Sequence, residues 1–285
     1  MKNSKFILNV DDFGMSTSVN KAVLEGYSYG MLKSASLIAN GEAFDDAIYN
    51  IIPKCYDLGV GIHLNITSGY SLSNRLEFIT DKSGKFCYSF AEILKKAYSK
   101  HNEEFLKEIE TEFRLQIEKI KSKTEVTHID SHNHIHSIPI IFEIVCKLAK
   151  EYGITQIRTH FEKFYLVPDI RKHLNKKILS NILKNFIFSL FTLLNEVTAD
   201  KYKLKTNDYL IGIIYSTMTD ALTVSYGLNN VKFNNITVEA IIHPRRYEEG
   251  LVDNYFSEFL ITKNKKLKNK IEKIGFDITN YVKKD

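Results

Sequence analysis

The chain has 285 residues, 44% of them hydrophobic and 26% charged, with 39 Lys and Arg against 34 Asp and Glu for a net charge of +5. These are ordinary values for a soluble globular protein. The four Pro and the scattered Cys55, Cys87 and Cys146 exclude Pro-rich linkers and an extracellular disulfide scaffold. The tail lysines around Lys263–Lys270 read as a solvated helix face, and no basic stripe with interleaved aromatics points to nucleic acid.

The chain opens with a short apolar run, Phe6–Val10, that reads as a strand and not as the longer apolar core of a signal peptide, so cytoplasm is the expected compartment. A helix capped by Ser16 or Thr17 follows to about Gly30, with Val19, Val23 and Leu24 on one face. Ser34–Ala39 is a second strand, Phe44–Ile51 a short helix ended before Pro53, and Val60–Leu64 a third strand. Phe90–Lys121 is strongly helical, its apolar stripe marked by Phe105, Ile109, Phe113, Ile117 and Ile120. Val126–Ile129 is a strand, Ile140–Tyr152 a helix closed by Gly153, and Ile154–Arg158 a strand. Helices dominate Asp169–Thr198. Within them Asn185–Leu194 is very apolar, too short to span a membrane, and reads as a buried core helix or, more sharply, a lid or membrane-facing helix. Leu210–Ile214 and Val238–Ile242 are strands, Ser257–Gly275 is helical, and Phe276–Ile278 is a last short strand. Alternating strands and helices without a linker predict an α/β fold over residues 1–285 as a single domain: a mostly parallel sheet, closed or nearly closed into a barrel, with Tyr70–Tyr88 and Phe161–Lys205 as insertions over one face.

Chemistry gathers at the strand ends. Asp11 and Asp12 follow the first strand, and two adjacent carboxylates there are costly unless used, for instance one as a metal ligand and the other as a base. Four of the nine His lie in His128–His136, where His128, Asp130, His132, His134 and His136 share one parity and would project together from an extended strand. One mononuclear metal site cannot use them all, so some must serve neighbouring or acid–base roles. His63 and His243 also end strands, and in parallel α/β folds ligands and catalytic groups converge at the C-terminal strand ends.

Five segments, NVDDFGMSTSVNKAV, SASLIANGEAFDDA, VGIHLNITSG, THIDSHNHIHSIP and EAIIHPRRYEE, occur in this order between Asn9 and Glu249. Together they resemble the YdjC-like (ChbG-type) carbohydrate deacetylases. The resemblance implies a TIM-like or distorted (β/α) barrel and a divalent metal on an Asp-His-His set. It also implies removal of acetyl groups from N-acetylated sugars such as chitooligosaccharides. Carried over, Asp12, His63 and His132 resemble the metal ligands, with His134 the alternative to His132. Asp11 resembles the free base and His243 the late histidine, a candidate acid. Arg158 sits where the family often carries an arginine. His134, His136, Asp130, Asn65 and Arg245 are expected in substrate-binding or supporting positions. The metal stays open between magnesium and zinc, although imidazoles suit zinc better than magnesium.

Family members commonly have a small residue after the late His-Pro, whereas this chain has Arg245 and Arg246. An arginine pair at the mouth would suit an anionic group such as the phosphate of a lipid-linked sugar. Peripheral membrane contact and a homo-oligomer through apolar surface helices remain open partners. The alternatives to an N-deacetylase are a sugar de-O-acetylase, another amidohydrolase, or an inactive sugar- or metal-binding barrel.

Overall fold

The apolar run Phe6–Leu8 grows into the central strand of the sheet, β1 (Ser4–Phe13), which is buried along almost its whole length. A strand covered on both faces reads as a continuous apolar run, and this one does so up to Leu8. The computed structural model describes residues 4–74, 76–168, 173, 176–231, 234–247 and 253–281. The remaining strands are β2 (Ser34–Leu37), β3 (Gly59–Leu64), β4 (Ile129–Ser131), β5 (Tyr209–Ile211), β6 (Thr237–Ile242) and β7 (Phe276–Ile278). They form one sheet in the order β4-β3-β2-β1-β6-β5, with β7 pairing the start of β1, and every pairing is parallel. The sheet curls into a half-barrel with helices around it.

Ile154–Arg158, expected as a strand, makes only single bridges, Ile129 to Ile157 and Gln156 to Lys205. Arg158 N–H still donates to the Ile129 carbonyl, and Leu210 N–H to that of Phe161. The segment therefore lies between the two sheet edges without forming a ladder.

The helices follow the apolar periodicity, with breaks where caps intervene. Ser16 caps α1 (Thr17–Tyr29) by accepting from Val19 N–H. The short α2 (Phe44–Asp46) runs on through a π-turn at Ala47–Ile51. The expected Phe90–Lys121 helix is split into α3 (Phe90–Ala97) and α4 (Glu103–Lys121). A capping box of Ser89 and Glu92 starts α3. Phe105, Ile109, Phe113, Ile117 and Ile120 of α4 are all buried, as the spacing requires. After α5 (Pro139–Glu151) comes α6 (Ile178–Tyr202), 25 residues long. Residues 169–172, 174 and 175 of the expected helical stretch lie outside the described residues. The core-helix expectation for Asn185–Leu194 fails, because Phe186, Leu190, Leu193 and Leu194 are exposed. The chain ends through α7 (Ala221–Asn229), α8 (Asn254–Thr262) and α9 (Lys265–Lys273), Asn264 breaking the expected Ser257–Gly275 helix by capping α9.

Two devices shape the interior of the half-barrel. The β1–β2 register shifts between Val10 and Phe13, and Asp12 takes a left-handed φ of 64°. This bulge lets neighbouring Asp11 and Asp12 both reach the site, where a regular strand would send them to opposite faces. Lower down, the His128 ring occupies the space beside Gly61. A Cβ on residue 61 would lie 2.3 Å from ring atoms, so only glycine admits the ring there.

Candidate metal centre and active site

Three strand ends build the cluster. Asp12 lies next to last in β1, His63 next to last in β3, and His132 follows β4 directly. His132 Nδ1 is 2.7 Å and His63 Nε2 3.4 Å from Asp12 Oδ1, and one ligand atom from each of the three residues lies within 4.8 Å of the others. His63 Nδ1 lies 2.6 Å from Asp130 Oδ1. A carboxylate on the far nitrogen of an imidazole orients the ring and raises the basicity of the nitrogen facing a metal. Asp130 is itself fixed, accepting from Ser36 Oγ at 2.7 Å and pairing with Arg158 Nη2 at 2.6 Å. One carboxylate and two imidazoles, the first ring backed by a buried carboxylate, are a donor set suited to a divalent cation.

Electrostatics point the same way. Burial alone would raise the Asp12 pKa, but His132 and His63 hold it well below the usual carboxylate range. Burial would lower His63, yet Asp130 and Asp11 push it up to about 10. Asp12 is thus held as an anion among imidazoles, the form that a cation would meet.

Beside this cluster lies a second one around Arg158, a fully buried arginine. Its Nη1 and Nη2 each donate to Asp11 at 2.8 Å, and Nε and Nη2 donate to Glu239. Asp11 also accepts from Asn9 Nδ2 at 2.8 Å. The carboxylate expected to be free is therefore clamped, with Oδ2 facing His243 Nε2 at 3.9 Å. Tyr281 donates to Glu239 and stacks on His128, with ring centroids 4.2 Å apart.

His243 follows β6 and is part-exposed at the pocket wall. Its backbone N–H donates to Glu258 of α8, and its Nδ1 lies 3.6 Å from the same carboxylate oxygen. Burial disfavours a charged ring, but Glu258, with Asp12 and Asp11 beyond it, raises His243 to about 9.

The shared parity of residues 128–136 does not bring their side chains together. Only Ile129–Ser131 is extended; from His132 the chain coils into a 3-10 turn, with Asn133 and His134 in left-handed conformations at φ of 52° and 58°. The five side chains consequently diverge. His132 joins Asp12. His134 lines the pocket, 3.2 Å from His160 Nε2, and desolvation keeps it neutral. His136 is buried away from the pocket, bonded to Ser131 Oγ and the Arg158 carbonyl, so its expected supporting role becomes one of holding the turn. His128 lies deep, against Ser36 and Tyr281.

The pocket has a volume of about 680 Å³, within the range of small-molecule sites. Asn65 lines it, but its side chain is committed to the Asn65–Ser68 turn, and Gln116 fixes its backbone. Arg245 lines the mouth with its guanidinium 4.3 Å from the Tyr255 ring centroid. Arg246 turns away to Glu25, so one arginine and not a pair faces the pocket. Glu239, Glu258, Asn9, Ser36 and His160 were not anticipated. Glu239 carried a signal, an acid inside the apolar Val238–Ile242 run; Glu258 sits in an ordinary helix and carried none.

An α/β half-barrel with a candidate metal centre at the C-terminal ends of its strands is the class that fold and site define. The YdjC-like protein family matches residues 5–272, and the chain belongs to that family. A carbohydrate deacetylase of Clostridium beijerinckii is 38% identical over 151 residues, which is 53% of this chain and 58% of that protein. Carbohydrate deacetylase 1 of Listeria innocua is 37% identical over 157 residues, covering 55% of this chain and 61% of the relative. The chain thus spans little more than half the length of the curated relatives it matches. A solved structure from Enterococcus faecalis, provisionally described as a cellobiose-phosphate cleavage protein, superposes with a TM-score of 0.76 at 20% identity over 98% of both chains, a likeness of fold alone.

Proposed function

We propose that this protein is a divalent-metal-dependent deacetylase that hydrolyses the N-acetyl group of an amino sugar, such as a chitooligosaccharide or a related lipid-linked N-acetylglucosamine glycan, releasing acetate. The observation that carries this reading is the division of the two adjacent acids. Asp12 lies with His63 and His132, while Asp11 is clamped by Arg158 and faces His243. A pure binding site has no use for the second arrangement. The names of the Clostridium and Listeria relatives support a sugar substrate.

A divalent cation on Asp12, His63 and His132 would supply Lewis-acid polarisation of the amide carbonyl and a water of lowered pKa. The donor set favours zinc over magnesium, because two of the three ligands are imidazoles. Asp11 accepts the proton of the attacking water, its carboxylate plane fixed by the two Arg158 bonds. His243, protonated through its Glu258 contact, gives a proton to the departing amine nitrogen. His134, neutral at the wall, offers a polar ring to the sugar. Arg245 stands at the mouth, where an anionic substituent would meet it.

The test is metal analysis of the purified chain coupled to mass spectrometry of acetylated sugars. One equivalent of a transition metal and loss of a single acetyl from N-acetylglucosamine oligomers are expected, and His63→Ala releases the metal. Cleavage of O-acetyl esters alone would replace the N-deacetylase with an esterase. Full metal occupancy in His63→Ala would remove His63 from the ligand set.

The His243 assignment has its own check. An acid raised to about 9 stays protonated below that pH, so kcat/KM falls as pH rises through the upper limb. Glu258→Gln removes the principal group raising it, and the alkaline limb moves to lower pH. An unmoved limb in Glu258→Gln excludes His243 as the acid.

A further inference from the structure

Helix α6 is built inside out. The side chains facing the barrel are Asn181, Asn185, Phe188, Thr192, Asn195 and Ala199. The three asparagine amides donate to backbone carbonyls of Ile214 and Ser216, Glu162 and Ser137 respectively. At the same three-to-four spacing the opposite face carries Leu179, Leu183, Phe186, Leu190, Leu193 and Val197, between 48% and 77% exposed. Phe164 and Leu166, in the segment that leads into the helix, are exposed as well. This stripe leaves on the order of 800 Å² of apolar side chain in water, above the few hundred Å² that monomeric proteins usually expose.

Length and composition would let α6 cross a bilayer, but its asparagine face is hydrogen-bonded to the rest of the fold, so the helix can only lie on a surface. Charge selects which surface. Residues 161–205 hold nine Lys or Arg against four Asp or Glu, an excess of +5 that equals the net charge of the whole chain. A second copy of the chain would bring two such segments face to face, whereas anionic lipid headgroups neutralise one. The position is also suggestive: Lys184 of α6 lines the pocket that holds Asp11, Asp12 and His243.

We propose that α6, together with Phe164 and Leu166, docks this protein on an anionic lipid surface, with the apolar stripe in the headgroup–acyl boundary and the pocket mouth beside it. Docking of this kind does not depend on the deacetylase reading, because its readout is partition and not turnover.

Flotation of the full-length chain with vesicles of phosphatidylcholine containing phosphatidylglycerol tests it. The chain is expected to float with these vesicles, to stay behind with phosphatidylcholine alone, and to be released by high salt. The combined Leu183→Ser, Phe186→Ser and Leu193→Ser variant, altered only at exposed positions, is expected to lose at least about tenfold in partition while keeping its helical circular dichroism. Lys176→Glu with Lys177→Glu, at two exposed lysines just before α6, weakens binding to the anionic vesicles. No flotation of the unaltered chain overturns the proposal. So does a stable dimer in light scattering that the triple variant dissociates while the unaltered chain ignores vesicles.

Discussion

Asp11→Asn is expected to lower kcat by about 10²–10⁴ while the metal stays bound. The amide has the shape of the carboxylate and keeps one of the two Arg158 bonds through its oxygen, but it cannot take a proton from water. Asp12, His63 and His132 keep their own contacts, since Asp11 is bonded to Arg158 and Asn9 and to none of these three. Metal content and acetate release measured on the same preparation separate the two roles. A near-unaltered rate would remove Asp11 as the base. Loss of metal together with activity would show that the two acids act as one ligand set.

Arg158→Met is expected to cost about 3–5 kcal/mol of folding stability, because it strands buried carboxylates that share one counter-charge. Asp11, Asp130 and Glu239 all pair with this guanidinium, and each of the four residues is at most 1% exposed. Without Arg158 the three acids are better tolerated when protonated. The unfolded state then binds fewer protons than the folded state as pH falls, so the variant regains stability toward acid and is worst at alkaline pH. Urea unfolding across pH measures this. A loss below about 1 kcal/mol, independent of pH, would mean that the acids are held neutral already.

The candidate metal cluster was legible because a parallel sheet delivers its strand ends to one place, and Asp12, His63 and His132 each sit at such an end. The pairing of Arg158 with Asp11 was half legible. The arginine could be singled out, but its grip on Asp11 depends on a segment, Ile154–Arg158, that crosses between sheet edges without becoming a strand. Parity misled over His128–His136, since it holds only while the chain is extended and this chain turns left-handed at Asn133 and His134. The inverted burial of α6 was hidden for another reason. A helix with apolar residues on one face announces amphipathicity, yet periodicity does not say which face meets the protein. Here the asparagines do, because their amides find backbone carbonyls.

The floor of the half-barrel reaches its mouth through Tyr281. This tyrosine donates to Glu239, which receives Arg158, which in turn sets the plane of Asp11. Tyr281 is thus a tensioner for the Asp11 carboxylate. Substitutions of Tyr281 would act on Asp11 from the opposite pole of the molecule, with Asp12, His63, His132 and the pocket wall all unchanged.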